Sequence, residues 1–480
     1  MAKTKQSTTS LPLADRLQSA LVPEEKQPYE IPKNWAWVKL QSVCSIPITD
    51  GTHQTPTYTT REEGVPFISS KDVTTERINW QNIKYITQDL HEQLYKRIAP
   101  QVDDVLLAKN GTTGVAALVE DDFIFDIYVT LAVLRPAQNQ IQPRYLYRFI
   151  NSPVAKEQFN AHLTGIGLPN LHLKDIKVTM LPLPPLAEQE RIVARLESLL
   201  GKLDEVKERV QNAVESFELQ KASVLHKAFT GELTQKWRNS FLSERDSVYL
   251  LTSPFSRIPE EKHPYEIPKN WAWVTLGNLA KIKRGASPRP IKTYITTDEN
   301  GVNWIKIGDT DSRKYITLTK EKITSEGAKK SVFVTKGTLL LSNSMSFGRP
   351  YILEIDGCIH DGWLALAPSS FLNKEFLYYG LLASNWYFEQ VAVGTAVRNL
   401  NSERVSRTPL PLPSLAEQKE IVRLLDQFFE RENQAKMQVE TVLEEIELLK
   451  KSILMKAFRG ELGTSNPMDE NAIELLKKVV

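Results

Sequence analysis

The chain has 480 residues, of which 41% are hydrophobic and 25% charged, and its formal net charge is +2. This length predicts roughly two to four domains with ample cores, and the near-neutral balance excludes a uniformly basic, histone-like protein. Cys44 and Cys358 lie in different halves of the chain, which argues against a disulfide framework and a cysteine-based zinc site. We find no signal peptide and no apolar run long enough to span a bilayer, so we expect a cytoplasmic protein.

Three blocks of sequence occur twice, which indicates an internal duplication. PEEKQPYEIPKNWAWVKL at 23–40 returns as PEEKHPYEIPKNWAWVTL at 259–276, LPLPPLAEQERIV at 181–193 returns as LPLPSLAEQKEIV at 410–422, and KAFTGEL at 227–233 returns as KAFRGEL at 456–462. The regions between the first and second blocks scarcely match. A constant frame around divergent regions favours a scaffold that presents two different readers. The alternative is drift after duplication, although drift would also erode the frame.

A long helix is predicted to follow each second block, because apolar residues recur there at alternating spacings of four and three. Glu432 interrupts the series in the second copy, which is typical of a register device or of a helix end that splays around a partner. Such seams favour two helices that pair with each other over helices that only cover their own domains. The predicted seams are Ile192, Leu196, Leu199, Leu203, Val206, Val210, Ala213 and Phe217, and Ile421, Leu425, Phe428, Ala435, Val439, Val442, Ile446 and Leu449.

Residues at both ends of each predicted helix are typical of helix termini. Pro185 suits a first helical turn, and Ser414 with Glu417 forms a capping-box pattern. Gly231 and Gly460 can adopt the left-handed conformation that ends a helix. We also expect the terminal NAIELLKKVV to contact the N-terminal LADRLQSAL.

Taken together, the duplicated Pro-x-x-Trp, PLPPLAEQ-type and KAF-x-GEL segments resemble those of the specificity subunit of type I restriction-modification systems, from about Pro28 to Leu462. The resemblance implies an α/β fold with two target-recognition domains separated by a pair of long antiparallel coiled-coil helices, and an internal duplication with pseudo-twofold symmetry. The implied divisions are an N-terminal segment 1–27, recognition domains 28–185 and 259–414, helices 186–229 and 415–458, a linker 230–258 and a tail 459–480.

The resemblance also implies a function and partners. Each recognition domain would read one half of an asymmetric, bipartite target in double-stranded DNA. The helices would set the spacer and dock two copies of a modification (methyltransferase) subunit, which restriction (ATP-dependent translocase/nuclease) subunits would join. The chain itself would be non-catalytic and would hold no cofactor or metal, whereas S-adenosylmethionine, ATP and magnesium would be used by the partner subunits.

Candidate DNA contacts are polar loop residues, because base reading requires donors and acceptors that differ between the domains, and phosphate contacts require Lys, Arg or hydroxyl side chains. For each of them the alternative is an ordinary solvated loop. The candidates in the first domain are Thr52, His53, Gln54, Tyr58, Ser70, Lys71, Lys109, Asn110 and Thr112, and those in the second are Lys283, Arg284, Ser287, Arg289, Asn343, Ser344 and Arg349.

A Gly-x-x-x-x-Asn-Leu pattern, which the resembled family also carries, stands at 165–171 and 394–400. It adds Asn170, Arg398 and Asn399 to the candidate contacts. A structural role for the two asparagines is favoured, because both copies keep the Asn-Leu pair although their targets should differ.

Two other classes of function remain open at this point. A coiled-coil adaptor that binds peptides or sugars would lack the steep salt dependence of a DNA reader. A self-sufficient methyltransferase would need an adenine-gripping Asn-Pro-Pro-aromatic or Asp-Pro-Pro-aromatic segment and a glycine-rich cofactor loop, and the sequence contains neither. It also contains no Gly-x-x-x-x-Gly-Lys-[Ser/Thr] phosphate loop.

Overall fold

The structure, a computed structural model, describes residues 12–163, 169–241, 255–311, 313–343, 347–392 and 400–478. Its contacts divide the chain into two compact units, one of residues 1–210 with 440–480 and the other of residues 211–439. Each unit combines sheets with helices, which confirms the α/β class, and each of the two long helices contributes to both units.

The first unit contains ten strands and six shorter α-helices among the described residues, besides its share of the long helices α6 (Leu186–Phe229) and α13 (Leu415–Phe458). The strands are β1 (Ala36–Lys39), β2 (Thr49–Asp50), β3 (Tyr58–Thr59), β4 (Val65–Ile68), β5 (Lys84–Ile86), β6 (Val105–Ala108), β7 (Ala116–Leu118), β8 (Asp126–Ile127), β9 (Leu131–Leu134) and β10 (Met180–Leu183). The shorter helices are α1 (Leu13–Ala20), α2 (Gln88–Tyr95), α3 (Pro143–Ile150), α4 (Pro153–Ala161), α5 (Leu173–Val178) and α14 (Ala472–Lys477).

The second unit repeats this arrangement with additional strands. Its strands are β11 (Ala272–Thr275), β12 (Ala280–Arg284), β13 (Ile295–Thr296), β14 (Val302–Ile305), β15 (Tyr315–Ile316), β16 (Glu321–Ile323), β17 (Val332–Val334), β18 (Leu339–Ser342), β19 (Pro350–Leu353), β20 (Gly357–Ile359), β21 (Trp363–Pro368) and β22 (Pro409–Leu412). Its shorter helices are α7 (Gln235–Phe241), α8 (Leu276–Leu279), α9 (Ser325–Lys329), α10 (Lys374–Ala383), α11 (Asn385–Ala392) and α12 (Ser402–Ser406).

Each unit has two larger sheets and one two-stranded sheet. The strand orders in the first unit are β2-β9-β6-β7, β3-β5-β4-β8 and β1-β10. In the second unit they are β12-β21-β18-β19-β15, β13-β16-β14-β20-β17 and β11-β22. The central strands β6 (VLLA), β9 (LAVL) and β18 (LLLS) are buried at every position, as expected for short apolar runs that end at polar turn residues.

The two-stranded sheets join the repeated sequence blocks to each other. Strand β1 comes from the first block and β10 from the second, and Trp37 pairs with Pro182 in antiparallel register. In the second unit, Trp273 pairs with Pro411 in the same way. Both tryptophans are buried, so the blocks are repeated because they form the same packed joint in each unit.

A buried glutamate at the start of each long helix accepts a hydrogen bond from a tryptophan of the first block. The Trp35 indole Nε1 donates to Glu188 Oε2 at 2.8 Å, and Trp271 Nε1 donates to Glu417 Oε2 at 2.9 Å. Arg238 adds an ion pair to Glu417 at 2.8 Å. Both glutamates have zero solvent exposure, and a buried carboxylate is tolerated only when donors satisfy it.

The capping box predicted at the start of α13 is only half formed. The Glu417 backbone N–H donates to Ser414 Oγ at 3.3 Å, as expected for a helix N-cap. The Glu417 carboxylate, however, is used by Trp271 and Arg238. The prediction of a reciprocal box was therefore wrong, because the side chain makes a tertiary bond that local sequence does not reveal.

The glutamine after each of these glutamates joins the helix start to a neighbouring loop. Gln189 Oε1 accepts from the Gln142 backbone N–H at 2.8 Å, just before α3. Gln418 Oε1 accepts from the Asn373 backbone N–H at 2.7 Å, just before α10. The Glu and Gln of LAEQ therefore hold the start of each long helix against two partners. The glutamate binds a first-block tryptophan, and the glutamine binds the loop before α3 or α10.

Glycine ends both long helices, as predicted. Gly231 and Gly460 have φ values of +82° and +75°, in the left-handed region that favours glycine. A Cβ atom at Gly231 would lie 2.4 Å from Pro268 Cγ, and one at Gly460 would lie 2.4 Å from Pro32 Cγ. The KAF-x-GEL and IPKNW blocks are therefore in direct contact, with the end of α13 packed in the first unit and the end of α6 in the second.

Ion pairs show that the two long helices run antiparallel. In the first unit, Asp204 pairs with Lys450 at 2.5 Å and Lys207 pairs with Glu447 at 2.7 Å, so residue numbers rise on one helix as they fall on the other. In the second unit, Lys436 lies 3.0 Å from Glu218 and 2.7 Å from the buried Glu432. Glu432 thus has a cationic partner, which is compatible with the predicted register role.

Most of the predicted seam residues are buried or half-buried along both helices, and the exceptions are Val206, Ala213 and Leu449. Leu200 is buried where Leu199 was expected, and Val206 is 44% exposed while Lys207 lies half-buried beside it. Ala213 is also exposed, and Leu449 is 50% exposed. Apolar residues occur at neighbouring positions along these helices, so spacing alone could not fix the phase.

Helix α1, near the N-terminus, and helix α14, near the C-terminus, contact each other, as predicted. The Ala472 backbone N–H donates to the Asn34 carbonyl oxygen at 3.0 Å. Leu476 of α14 is buried in the core of the first unit, and Leu17 of α1 packs against the same core. The tail after Gly460 is therefore part of the first unit.

The indole hydrogen bond to Glu188 yields a stability prediction. Replacing Trp35 with phenylalanine removes one donor from a buried carboxylate, and we expect the free energy of unfolding of the first unit to fall by about 1–3 kcal/mol. Amide hydrogen exchange at the start of α6 measures this loss locally. The control is Trp386→Phe, at a side chain that is 45% exposed. Equal exchange in the two variants would contradict a stabilising Trp35–Glu188 bond.

Candidate nucleic-acid interface

One edge of the β2-β9-β6-β7 sheet gathers the polar loops of the first unit. The chain leaves β2 at Gly51, where a Cβ atom would lie 2.1 Å from the Ile127 carbonyl oxygen, so only glycine fits. The loop that follows β6 is held there as well, because the Lys109 backbone N–H donates to the Thr130 carbonyl at 2.8 Å. The candidate residues that follow β2 and β6 therefore emerge at the same end of the sheet.

Asp50, the last residue of β2, is the electrostatic centre of this edge. Its side chain is 3% exposed, and Oδ2 lies 2.5 Å from Lys109 Nζ, whose side chain is 8% exposed. Oδ1 lies 3.2 Å from Arg97 Nη2 and 3.3 Å from His53 Nε2. Lys109, a candidate DNA contact, is thus in a buried ion pair, whereas the Arg97 and His53 side chains remain largely open to solvent.

Four other candidates of the first unit are held by short polar contacts. Thr52 is buried, and its Oγ1 accepts from the Gln54 backbone N–H at 3.1 Å. The Thr112 hydroxyl donates to the Ser70 carbonyl at 3.2 Å, and the Ser70 backbone N–H donates to Thr130 Oγ1 at 3.0 Å. The structure therefore brings the loops containing Ser70 and Thr112 into contact with each other.

The remaining candidates of the first unit lie around this centre. Lys71 donates to Asp72 Oδ1 at 2.6 Å, and the exposed Tyr58 ring lies 4.1 Å from Lys84 Nζ. Asn110 forms a backbone bridge with Asn170. That bridge supports the structural role preferred for Asn170, because it ties the Gly-x-x-x-x-Asn-Leu segment to the loop that follows β6.

The second unit forms the equivalent edge around the turn that precedes β21. Asp361 Oδ1 accepts from the Ser287 hydroxyl at 2.8 Å, and Oδ2 lies 3.5 Å from Arg289 Nη2. The Asp361 carbonyl oxygen accepts from Arg284 Nε at 3.1 Å and from Asn343 Nδ2 at 2.9 Å. Four residues chosen from sequence thus converge on one aspartate that sequence reasoning did not single out.

His360 lies beside Asp361 in this turn. Its Nδ1 accepts from the Gly362 backbone N–H at 2.9 Å, and its Nε2 lies 2.9 Å from Asp361 Oδ1. Burial lowers the pKa of His360, and the nearby Arg289 and Arg284 lower it further against the opposing charge of Asp361. Burial alone would raise the pKa of Asp361, but the Ser287 hydroxyl and His360 hold it below its ordinary value.

The two edges occupy the same place in the duplicated fold. Asp50 pairs with Ala132 of β9, and Arg284 pairs with Leu364 of β21, each one residue before a glycine. A Cβ atom at Gly285 would lie 2.1 Å from the His360 carbonyl, matching the crowding at Gly51. The backbone frame is therefore shared, while an acid stands in one unit where a base stands in the other.

The loops that follow β6 and β18 correspond in the same way. The Leu171 backbone N–H donates to the Lys109 carbonyl at 2.9 Å, and the Leu400 N–H donates to the Asn343 carbonyl at 3.0 Å. Both leucines are buried. The leucine of each Gly-x-x-x-x-Asn-Leu segment therefore fixes a reader loop, whose first residue is Lys109 in one unit and Asn343 in the other.

The other candidates of the second unit are placed less centrally or lie outside the described residues. Lys283 is exposed on β12, and the half-buried Arg349 stacks 5.4 Å above the Tyr351 ring. Ser344, Arg398 and Asn399 are outside the described residues, as are residues 165–168 and 394–399 of the two glycine patterns.

Sequence reasoning did not select Arg97, Asp50, Asp361 and His360 as contacts. Asp50 and Arg284 precede glycines at equivalent strand ends. An alignment of β2 with β12 would have paired these two residues and marked them as candidates. Arg97 lies in the turn just after α2, between that helix and β6, and no local pattern marks it.

The described residues contain no group of three or more His, Cys, Asp or Glu side chains arranged to hold a metal ion. None of the helices in those ranges combines the length and hydrophobicity needed to cross a membrane.

A family model and several curated relatives match this chain. The family model described as "Type I restriction modification DNA specificity domain" matches twice, over residues 32–216 and 268–445. The chain is 27% identical over 394 residues to the EcoDI specificity subunit of a type I restriction enzyme from Escherichia coli, across 78% of this chain and 83% of that protein. It is 25% identical over 466 residues to the EcoBI specificity subunit of the same species, across 93% of this chain and 92% of that protein.

Two solved structures share the fold. One belongs to work entitled "Structural basis underlying complex assembly and conformational transition of the type I R-M system" and has a TM-score of 0.68 at 24% identity, with 91% of this chain and 100% of that chain covered. The other is the HsdS subunit from Thermoanaerobacter tengcongensis, with a TM-score of 0.55 at 24% identity and the same coverage. Because the two family matches span well over half of its length, the chain belongs to the type I restriction-modification DNA specificity family.

Proposed function

We propose that the chain is a non-catalytic specificity subunit that reads a bipartite DNA target, one half with each unit. The observation that carries this proposal is the chemical divergence at equivalent positions of one frame. Asp50 with Lys109 in the first unit corresponds to Arg284 with Asn343 in the second. A change of donors and acceptors on a constant backbone is what two readers of different base sequences require.

The candidate contacts divide between positioning and reading. Lys109 and Asn343 are buried and fix their loops. Exposed side chains that surround them, among them Gln54, Arg284 and Arg289, are available to DNA. Arginine donates to guanine O6 and N7 or to phosphate, and glutamine pairs with adenine N6 and N7.

Family membership supports a proposal for the partners. We propose that two copies of a modification subunit dock on it and bind S-adenosylmethionine, and that restriction subunits which use ATP and magnesium join them. On this proposal the chain contributes the DNA address, the partners contribute the chemistry, and the complex acts in the cytoplasm.

The long helices are proposed to set the unread gap between the half-sites. Each has 44 residues, which at 1.5 Å per residue corresponds to about 66 Å. A turn of B-DNA rises about 34 Å, so helices of this length suit a target split over one to two turns.

The test is binding of the complex to duplexes with randomised half-sites over a series of salt concentrations. A split motif with a fixed gap, and an affinity that falls steeply with salt, is expected of a DNA reader. Affinity that is independent of both sequence and salt would instead favour an adaptor for peptides or sugars.

Replacing Arg284 with glutamine tests the independence of the two readers. We expect a loss of base preference of about 1–3 kcal/mol, roughly 5- to 150-fold, in one half-site, because the exposed guanidinium of β12 is removed while Asp361 keeps its contact with Ser287. Selection from the randomised duplexes measures both half-sites in one experiment. Equal relaxation of both half-sites would contradict independent readers.

A matched insertion tests the spacer role. Seven residues added after Ala213 in α6 and seven after Glu440 in α13 leave the Asp204–Lys450 and Glu218–Lys436 pairs in register on either side. The added helical rise of about 10 Å should lengthen the preferred gap by about three base pairs. The control is an insertion in α6 alone, which disrupts the pairing. An unchanged gap in the matched variant would refute the spacer role.

A further inference from the structure

We propose that Arg97 is a base-reading residue of the first unit, directed at a guanine edge, and that the buried Asp50 is the residue that positions it. This inference rests on the proposed function of the chain as a DNA reader. It assigns a contact that lies on no candidate loop and at no position of the duplicated motifs.

The two oxygens of the Asp50 carboxylate have different partners, one buried and one at the surface. Oδ2 faces Lys109 at 2.5 Å, and this pair is buried, with side-chain exposures of 3% and 8%. One buried cation compensates one buried anion, so the charge of Asp50 is already balanced. Oδ1 lies 3.2 Å from Arg97 Nη2 and 3.3 Å from His53 Nε2, and the Arg97 side chain is 47% exposed. The buried Asp50–Lys109 pair is therefore neutral without Arg97, whose side chain lies at the surface.

The anchoring leaves Arg97 suited to reading a base. A guanidinium carries five N–H donors in a rigid planar fork, and Asp50 engages only one terminal nitrogen, Nη2. Holding one edge of the fork reduces the side-chain entropy that binding would otherwise cost. The remaining donors of the planar fork match the two acceptors of a guanine edge, whereas a phosphate accepts a cation in many orientations.

The second unit places a guanidinium at the equivalent strand end by another route. Arg284 occupies the position of Asp50, and its Nε donates to the Asp361 carbonyl at 3.1 Å. In the first unit the strand residue is an acid, which instead holds an arginine from the end of α2. Both units thus present an anchored guanidinium beside the crowded glycine, Gly51 or Gly285.

The experiment compares Arg97→Lys and Arg97→Gln in the complex with its modification subunits. Methylation rates are measured on duplexes that carry each base substitution in each half-site, over a salt series. Arg97→Lys should reduce discrimination at one guanine of one half-site by about 10- to 100-fold while keeping a near-normal salt slope, because lysine keeps the charge and loses the fork. Arg97→Gln should lose the same discrimination.

The matched control is Arg284→Gln, which should relax the other half-site and leave this position unchanged. A uniform loss of rate in Arg97→Gln, with a salt slope lower by about one and normal base preference in Arg97→Lys, would show a phosphate contact and overturn the proposal. Unchanged preference in both variants would overturn it as well. If the wild-type complex selects no split motif at all, the proposed function itself fails.

The positioning role of Asp50 is tested in the double variant Asp50→Asn with Lys109→Gln. The two amides can still bond to each other, so no buried charge is left unpaired, and thermal unfolding checks that the unit folds. The guanine preference should fall as in Arg97→Lys, because the carboxylate that orients the fork is gone. Normal preference in a folded double variant would remove Asp50 from the role of positioning residue.

Discussion

The fold of each unit depends on one buried carboxylate at the start of a long helix. Glu188 and Glu417 have no solvent exposure, and each is satisfied by the indole N–H of a tryptophan some 150 residues away in sequence. An unsatisfied buried carboxylate would be strongly destabilising. The helix start and the first block must therefore come together, and the variable region between them is forced to fold as a closed insertion.

This constraint explains how the frame stays constant while the readers diverge. Each insertion begins and ends at the same two-stranded joint, Trp37 with Pro182 or Trp273 with Pro411. Between these ends, the requirement is only an apolar sheet and a crowded glycine at the reading edge. The residues around that glycine can exchange acid for base at little cost to the fold, provided each buried charge keeps a partner.

The sequence predicted the structure best in the segments that occur twice and in those with a regular apolar spacing. The duplicated blocks, the two helices and the terminal contact were all predicted, because packing motifs leave periodic and repeated signals. The seam phase was only partly predicted, since neighbouring positions such as Val206 and Lys207 can both cover it. Arg97 was not found, because it reaches Asp50 through the tertiary fold from the end of α2, and no spacing rule connects the two.

We expect this chain alone to supply the DNA address of a modification complex. The most direct measurement is a genome-wide methylation map from cells that carry the chain with its modification subunit, compared with cells that lack only this chain. We predict a split motif, with two short blocks and a fixed gap, that appears only when the chain is present. An identical map in both cells, with the modification subunit expressed and folded, would contradict it.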